Sequence, residues 1–485
     1  MAGGADPVWL SSPGASSDTA VALDLVACDP VELVRSAALE ELEDAWSRAR
    51  RRWGVGAVAA AAAGTSDPRA APPIAVGWLS YDLARAWMPI GRGGPTRPPG
   101  PAAWPADLEF RFFDAIWMRE RDGSEAFVLG ADPGSADRLL ARLTARGRHP
   151  PGAELGDARR DGLGGPPRLG PWSGAEARTA YLAAVARIQE YLRAGDVYQV
   201  NLTRRLTAEL GPGDPVWMAA ELRARAPAPH AIWLGARSVE GGPLDRLVVG
   251  NSPERFLRVE PGGRVETRPI KGTRARGLRA RAGRRAVGQG DAIDEAIEHQ
   301  LEAAIDPELD AAARRALLAS PKDRAEHVMI VDLERNDLGR VAKVGSVVCR
   351  DLARAVAFPR VHHLVSTVSA ELRPGVGLEE LLRATFPGGS ITGAPKRRAM
   401  EIIDALEPVP RGIYTGATGW LGAAGNLDLA VAIRTAIVDR GRIGLGVGGG
   451  IVIDSVPEEE WIETELKARA FLELGRRVED RAILP

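Results

Sequence analysis

A lysine in an unusual local setting is the first residue of this sequence that could do chemistry. Lys271 lies in residues 268–273 (Arg-Pro-Ile-Lys-Gly-Thr), where Gly272 breaks an extended, half-apolar approach and lets another group come close to the backbone. A lysine in poorly solvated surroundings loses its proton more easily and becomes an amine nucleophile. The simpler alternative is a lysine at a strand end whose ammonium reaches solvent. The hexapeptide alone leaves both interpretations open.

Acidic residues on the core side of the last predicted helix form a second candidate site. At about 100° per residue, Glu460, Glu463 and Lys467 fall within one stripe of that helix. The same stripe carries the apolar residues Ala470, Phe471 and Leu474. Buried carboxylates are costly unless they are paired or bind a metal ion. A structural i,i+4 pair of Glu463 with Lys467 is the alternative, but it leaves Glu460 without a partner.

Glu326, in the segment 322–339, is a further carboxylate that could join this set. Two or three carboxylates from distant segments, without cysteine or paired histidine ligands in support, suit a hard ion such as Mg²⁺. Such an ion is bound together with waters and an anionic substrate. The spacing is therefore compatible with a Mg²⁺ site.

Two glycine-rich stretches could bind an anion. In residues 386–396 the predicted helix has Thr392 as its cap and Pro395 in its first turn, so free backbone N–H groups point out of the helix N-terminus. In residues 444–452 bunched glycines let a ligand lie against a strand. Neither stretch fits the phosphate motif of Gly, four spacers and Gly-Lys-Ser/Thr, which disfavours a nucleotide site.

An arginine and two histidines lie in stretches that are predicted to be strands. Arg434 is in the apolar residues 431–435, and with the preceding Tyr414 it could clamp a carboxylate, although a buried structural ion pair explains it equally well. His362 and His363 offer one histidine to each face of another strand. A histidine satisfied within the core is the simpler interpretation of either.

Length and composition are those of an ordinary soluble protein. The 485 residues are 45% hydrophobic and 26% charged, with a net charge of -1, so no global field favours nucleic acid. The two cysteines, Cys28 and Cys349, are too few for a disulfide framework or a metal cluster, which fits a reducing compartment. There is no signal-like start and no run of about 18 apolar residues. We therefore expect a cytoplasmic protein that does not enter a membrane.

Gly/Pro-rich breaks divide the chain into three predicted regions. Residues 1–145 are predicted to be an accessory α+β region, residues 146–171 a Gly/Pro-rich linker, and residues 172–485 the main domain. The accessory region should contain strands at 21–27 and 74–79 and a helix at 33–52.

In the main domain a helix at 175–193 should precede the strands, and the last helix should open with a capping box of Ser455 and Glu458. The predicted strands are 196–202, 231–234, 247–250, 256–259 and 265–270. Residues 274–320 form a basic insert that becomes helical at 292–304. Because no aromatic residues interleave with its charges, it is predicted to be a solvated excursion without nucleic-acid binding.

Taken together, these motifs resemble those of the chorismate-utilising enzymes, and within that family the component I branch of aminodeoxychorismate synthases. The resemblance covers residues 181–472 and rests on many motifs in one order, which makes it highly specific. They are residues 195–202, 252–256, 268–273, 329–337, 363–366, 389–396 and 448–455. The resemblance implies an α+β fold of two large β-sheets packed face to face with helices outside, to which the N-terminal region adds strands.

The resemblance also implies a cofactor and a place for one substrate carboxylate. The Mg²⁺ ligands of the family fall on Glu326 and Glu463, with Glu460 close to the ion. The ring carboxylate of chorismate would lie on Mg²⁺, on Lys467 and on the loop at Thr392.

The second carboxylate of chorismate, on its enolpyruvyl group, has its own implied place. Tyr414, Arg434 and the backbone at Gly449 and Gly450 would hold it. His363 would lie beside the ring.

Three further positions choose among the reactions of the family. Glu254 would protonate the departing 4-hydroxyl. Where this chain has Gln199, isochorismate and salicylate synthases have a lysine that activates water, so water addition is disfavoured. Where it has Lys271, anthranilate synthases have alanine, whereas aminodeoxychorismate synthases have a lysine that is proposed to attack ring C2.

The resemblance therefore implies that chorismate and ammonia yield 4-amino-4-deoxychorismate, for para-aminobenzoate and folate or a related secondary pathway. The alternatives are an anthranilate synthase component I that carries a lysine and a non-catalytic chorismate-binding subunit. Residues 10–12 (Leu-Ser-Ser) resemble only loosely the stretch that lines a tryptophan pocket in relatives, so the resemblance leaves tryptophan binding open.

Neither cysteine lies in a setting that suits a glutamine-hydrolysing nucleophile. Cys28 and Cys349 are both in strand-like stretches, and no part of the chain reads as an appended amidotransferase domain. We therefore expect a separate glutamine amidotransferase subunit, component II, as the partner that supplies ammonia.

Overall fold

Two antiparallel β-sheets, each with ten strands among the described residues, form the centre of the molecule. The computed structural model describes residues 6–11, 23–54, 70–88, 90, 106–120, 126–145, 167–174, 178–237, 244–277, 305–358 and 361–474.

The strands alternate with helices along the chain. The strands are β1 (Val8–Ser11), β2 (Leu23–Ala27), β3 (Glu32–Ser36), β4 (Pro73–Leu79), β5 (Leu108–Phe112), β6 (Ala115–Glu120), β7 (Ala126–Gly130), β8 (Gln199–Glu209), β9 (His230–Ala236), β10 (Arg246–Ser252), β11 (Arg255–Val259), β12 (Arg264–Arg268), β13 (Ile270–Ala275), β14 (Val348–Ala357), β15 (Val361–Glu371), β16 (Gly393–Ala394), β17 (Ala417–Gly422), β18 (Leu427–Val431), β19 (Thr435–Asp439) and β20 (Arg442–Ile451). The helices are α1 (Leu39–Arg52), α2 (Pro133–Ala145), α3 (Arg178–Arg193), α4 (Val216–Arg225), α5 (Pro307–Ala319), α6 (Pro321–Gly339), α7 (Leu378–Thr385), α8 (Lys396–Leu406) and α9 (Pro457–Leu472).

The N-terminal strands are built into both sheets. The first sheet has the order β16-β8-β20-β19-β10-β9-β1-β2-β6-β7, and the second has the order β13-β15-β12-β11-β18-β17-β4-β5-β3, with β14 paired to β15. Thus β1 pairs with β9 in the first sheet and β4 pairs with β17 in the second. The predicted α+β class with two large sheets is confirmed.

A continuous apolar core joins the two sheets. Phe110 and Leu429 from the second sheet belong to the same buried cluster as Ile232 and Leu234 from the first. Because burial of such side chains is the main favourable term in folding, this cluster holds the two sheets face to face. Helix α6 packs on β13 and β15, α8 on β8, and α9 on β20. These three helices and the strands beneath them carry most of the predicted site residues.

Most predicted strands and helices of the main domain are present within a few residues of the expected bounds. The helix predicted at 33–52 is wrong in its first part, because residues 32–36 form β3 and pair with β5. Ser36 then accepts a hydrogen bond from the amide of Ala38, and the helix begins only at Leu39.

The strand predicted at 265–270 is interrupted at Pro269. Strand β12 ends at Arg268 and β13 begins at Ile270. Proline has no amide hydrogen to donate to a sheet ladder, which explains the break. The helix predicted at 292–304 lies outside the described residues. Among the described residues, no helix is long and apolar enough to cross a membrane.

Candidate active site

Three elements bring Lys271, Gln199 and Glu326 into direct contact. Lys271 is on β13, Glu326 is in the second turn of α6, and Gln199 is the first residue of β8. The Lys271 ammonium lies 2.9 Å from Glu326 Oε1. With its amide nitrogen facing Glu326, Gln199 donates to Glu326 Oε1 at 3.2 Å and accepts from Lys271 Nζ at 3.1 Å. Lys271 is therefore half of a mostly buried ion pair and not a strand-end lysine that reaches solvent.

The expectation that poor solvation lowers the pKa of Lys271 is wrong for this arrangement. Burial alone lowers it, but the carboxylates of Glu326, Glu254 and Glu463 outweigh burial and raise the pKa above its ordinary value. Lys271 is thus a cation here. Glu326 comes from a helix 55 positions further along the chain, so no local pattern around Lys271 could have revealed this partner.

Glu254 lies between β10 and β11 and is buried at 6% exposure. Burial raises the pKa of its carboxyl to about 7, although a hydrogen bond from Ser390 and the charge of Lys271 partly oppose this. A carboxyl group with such a pKa is present in both its acid and its base form near neutral pH. Glu254 can therefore donate a proton under conditions in which an exposed glutamate cannot.

Helix α9 brings two carboxylates and a lysine to the edge of β20. Glu460 is buried and accepts a hydrogen bond from Ser455 Oγ at 2.6 Å, while Glu463 and Lys467 pair at 2.6 Å and keep about half of their side chains exposed. Of these three charged side chains, only that of Glu460 is buried as the position on the helical stripe predicted. The alternative pair of Glu463 with Lys467 is also present, and Glu460 is not left without a partner.

The predicted capping box at the start of α9 is wrong. The cap is Val456, without a side-chain hydrogen bond, because Ser455 turns its hydroxyl towards Glu460. Burial raises the pKa of Glu460, and the nearby charge of Glu463 adds to this effect. For Glu463, whose side chain is half exposed, the partial loss of solvation is outweighed by the charges of Lys467 and Lys271, which lower its pKa.

Gly449 and Gly450 on β20 leave room beneath these acidic side chains. A Cβ atom on Gly449 would lie 3.1 Å from Glu460 Oε2, 3.5 Å from Glu463 Oε1 and 3.9 Å from Lys467 Nζ. On Gly450 it would lie 3.1 Å from Glu326 Oε1 and 2.6 Å from the amide of Gln199. Because neighbouring residues of a strand point to opposite faces, Gly449 leaves room beside the acids of α9 and Gly450 leaves room beside Glu326 and Gln199. A side chain at either position would fill that room.

The acidic residues next to Gly449 and Gly450 fit a hard divalent cation. Among the described residues, no three His, Cys, Asp or Glu side chains already converge tightly enough to hold an ion. However, Glu326 and Glu463 both lie close enough to Lys271 to raise its pKa, and the charge of Glu463 in turn raises the pKa of Glu460. Lys271 and Lys467 each neutralise one carboxylate in the present arrangement. An all-oxygen donor set of this kind suits Mg²⁺.

Thr392 is fully buried in the loop before α8, but it does not cap that helix as predicted. Its hydroxyl donates to Gly388 O at 3.0 Å, its amide donates to Gly389 O, and its carbonyl accepts from the Asn201 amide at 2.9 Å. Helix α8 begins at Lys396 with Pro395 as an extended cap residue. The loop is thus tied to β8, beside Gln199.

Arg434 lies in the turn between β18 and β19, and not within a strand as predicted. Its backbone has a positive φ of 49°, and burial lowers the pKa of its guanidinium. Among the described residues no carboxylate pairs with it. A mostly buried guanidinium without an anionic partner is a ready site for a carboxylate ligand. Tyr414, the other half of the predicted clamp, is buried with its ring directly over Gly446.

His363 on β15 faces the same region as Arg434. Burial and the charges of Arg434 and Lys467 lower its pKa to about 4, so the ring is neutral at physiological pH. Its Nδ1 donates to Gly272 O at 3.0 Å, and its Nε2 has no hydrogen-bond partner among the described residues. Its neighbour His362 donates from Nε2 to Asp310 at 2.8 Å, and its Nδ1 also has no hydrogen-bond partner among the described residues.

The structure adds polar residues that sequence reasoning did not assign to the site. Ser390 and Ser455 hold the carboxyl groups of Glu254 and Glu460. Glu334 accepts from the Gly389 amide at 2.8 Å, and burial raises its pKa to about 8. Ser390 lies inside a motif that the sequence already singled out, but nothing in the sequence indicates its partner.

The family model that matches this chain is described as chorismate binding enzyme and covers residues 6–473. Aminodeoxychorismate synthase of Streptomyces griseus is 43% identical over 300 residues, which are 61% of this chain and 36% of the relative. Aminodeoxychorismate synthase component 1 of Klebsiella aerogenes is 43% identical over 301 residues, which are 62% of this chain and 59% of the relative. The chain thus spans only about a third to three fifths of the length of these two curated relatives.

Relatives named anthranilate synthase have a similar sequence identity to this chain. Anthranilate synthase component 1 of Streptomyces coelicolor is 37% identical over 417 residues, which are 84% of this chain and 73% of the relative. The crystal structure of anthranilate synthase component I from Streptococcus pneumoniae has a TM-score of 0.70 at 26% identity, covering 93% of this chain and 92% of that chain. Sequence similarity alone therefore does not separate the two activities.

Proposed function

This chain belongs to the chorismate binding enzyme family, and from that membership we propose that it converts chorismate and ammonia into 4-amino-4-deoxychorismate. The observation that carries the proposal is the placement of Lys271 against Glu326 and Gln199, with Glu254 close enough to affect its pKa. This proximity of the proposed nucleophile and the proposed acid supports the reaction.

The two carboxylates of chorismate would be bound by different elements. Lys467 and the loop at Thr392 would hold the ring carboxylate, and Arg434, Tyr414 and the backbone of Gly450 the enolpyruvyl carboxylate. When bound by Glu326, Glu460 and Glu463, Mg²⁺ would neutralise the ring carboxylate and orient the ring. The neutral ring of His363 would pack beside the substrate without adding charge.

We propose that the reaction has two displacement steps. First, the Lys271 amine forms a bond to ring C2 while the C4 hydroxyl leaves as water with a proton from Glu254. Ammonia then forms a bond to C4 and the lysine leaves C2, which restores the ring diene. Attack requires the neutral amine, so the proton that Lys271 carries in its pair with Glu326 must leave first.

Anthranilate synthesis is the first alternative, because one relative named anthranilate synthase component 1 matches 84% of this chain. It needs an amine at C2 and loss of pyruvate. A lysine that itself occupies C2 blocks that position to ammonia, which is why Lys271 favours the 4-amino product. A non-catalytic chorismate-binding subunit is the second alternative, but an intact set of acid, amine and carboxylates argues for an enzyme.

Product analysis tests the proposal directly. The purified chain is incubated with chorismate, an ammonium salt and Mg²⁺, and the products are separated by chromatography. We expect 4-amino-4-deoxychorismate with the enolpyruvyl group retained. Anthranilate with pyruvate as the main product would overturn the proposal, and unchanged chorismate would support a binding subunit.

We further propose that a separate glutamine amidotransferase supplies the ammonia. Several relatives are named component 1, a name that implies a second component. Burial raises the pKa of the Cys28 thiol to about 11 and also raises that of Cys349, so neither is a ready thiolate nucleophile.

A further inference from the structure

We propose that Arg411 is a positioning residue that sets the distance between the two carboxylate-binding parts of the site. It lies between α8 and β17, in a stretch to which the sequence assigned no role. This inference rests on the proposed binding of chorismate but not on which product is formed.

All five N–H donors of the Arg411 guanidinium are in use. Two of them hold both carboxylate oxygens of Glu407, with Nε 2.9 Å from Oε2 and Nη2 2.7 Å from Oε1. The other three go to Ile391 O at 2.9 Å, Thr415 Oγ1 at 3.3 Å and Asn201 O at 2.8 Å. Only a guanidinium offers five donors in one plane, so no other side chain can make this set of contacts.

Each of these last three acceptors is a near neighbour of a predicted substrate-contacting residue. Ile391 precedes Thr392, Thr415 follows Tyr414, and Asn201 lies two residues after Gln199 on β8. Arg411 therefore ties together the ring-carboxylate loop, the enolpyruvyl clamp and the strand that contacts Lys271. These three segments are far apart in sequence. Among the described residues, no other side chain is seen to bond to all three.

The surroundings of Arg411 keep the guanidinium in one position. Arg411 and Glu407 are each 3% exposed, and the Tyr81 ring lies 4.5 Å from the guanidinium carbon. Glu407 is itself fixed, because its Oε1 accepts from the Thr203 amide at 2.9 Å. A buried, fully bonded arginine of this kind resists displacement, since moving it would leave several polar groups unpaired.

A second buried arginine in the chain provides a matched control. Arg111 is fully buried, pairs with Glu109 at 2.6 Å and donates to Gly235 O at 2.6 Å. Its partners lie on β5, on β9 and at Asp6 before β1, and none of them adjoins a predicted site residue. Loss of either arginine should destabilise the fold, but only loss of Arg411 should move the binding groups.

The test compares Arg411→Lys with Arg111→Lys, since lysine keeps the charge but has too few donors for either set of contacts. Chorismate KM and kcat, chorismate Kd by calorimetry in the presence of Mg²⁺, and Tm are measured for both. We expect both variants to lower Tm. Only Arg411→Lys should raise KM and Kd for chorismate, by about ten- to a hundredfold.

An Arg411→Lys protein with wild-type KM and Kd would overturn the inference, as would an equal rise in both variants. If Arg411→Lys does not fold, Glu407→Gln serves instead, because it keeps the shape of the pair and weakens its hold on the guanidinium. It should raise KM by a smaller factor, and an unchanged KM would again count against the inference. If the product is anthranilate, the proposed function is wrong. The comparison of chorismate KM and Kd between the two arginine variants still tests the inference about Arg411 in that case.

Discussion

At the scale of single residues, Lys271 shows how a distant partner can reverse a local expectation. The sequence around it left open whether its side chain is poorly solvated or reaches solvent. The structure shows it 12% exposed, and the sign of its pKa shift depends on Glu326, which reaches it from α6. Glu254 shows the opposite case. Burial is the largest single influence on both groups, but the neighbours of Glu254 do not outweigh it, so the pKa of Glu254 rises to about 7.

We expect Lys271→Ala to lower kcat by at least about a hundredfold while KM for chorismate changes little. The reason is that the amine acts in the chemical step and does not anchor the bound substrate. Steady-state kinetics with ammonium salts measure both constants. Lys343→Ala is a suitable control, because that lysine also pairs with a glutamate at 2.9 Å but lies away from the site. A raised KM with an unchanged kcat would show that Lys271 is only an anchor.

At the scale of elements, helix α9 presents Glu460 and Glu463 to the site because other groups fix its position. Arg204 on β8 stacks on Trp461 with its guanidinium carbon 3.8 Å from the ring centre, and it donates to Thr464 at 2.9 Å. The 3.6-residue period was enough to place the two acids and Lys467 on one side of the helix. It could not tell that the Ser455 hydroxyl donates to Glu460 and accepts from the Val452 amide instead of capping α9, because these contacts depend on the tertiary position of β20.

Metal removal should abolish turnover, and added Mg²⁺ should restore it. The carboxylates that face Gly449 and Gly450 have the donor chemistry for such an ion, and the substrate brings a further negative charge to the same place. Turnover is measured with a chelator in excess and then after addition of Mg²⁺.

The corresponding substitution, Glu463→Gln, should also lower activity strongly. Glu458→Gln is the control on the same helix, since Glu458 is an exposed residue that pairs with Arg178. Full activity in excess chelator, or equal effects of the two substitutions, would show that the carboxylates of α9 are structural.

At the scale of the whole molecule, the order of motifs along the sequence was enough to predict two large packed sheets. It was not enough to predict the strand order, because the pairing of β4 with β17 or β1 with β9 depends on complementary surfaces that lie far apart in sequence. The side-chain contacts within the site could not be predicted for the same reason. The Arg411 contacts, for example, join residues 201, 391, 407 and 415.

The isolated chain should use ammonium salts at raised pH but not glutamine. Free ammonia is scarce near neutral pH because its conjugate acid has a pKa of about 9, close to that of simple amines. Raising the pH therefore supplies more of the nucleophile. Product formation is compared with glutamine and with ammonium chloride, before and after addition of a candidate amidotransferase subunit. Glutamine-dependent product from the chain alone, free of any co-purified protein, would refute this division of labour.

The pairing of N-terminal with C-terminal strands also affects how the protein is made on the ribosome. Strand β4 receives its partner β17 only after residue 422 has been synthesised, although β4 itself is complete at residue 79. During most of translation the edges of both sheets therefore stay open, and open edges invite pairing with other chains. Contacts of such long sequence separation also form slowly. The strand topology therefore implies that these open edges need protection during synthesis, by chaperones or by slow translation.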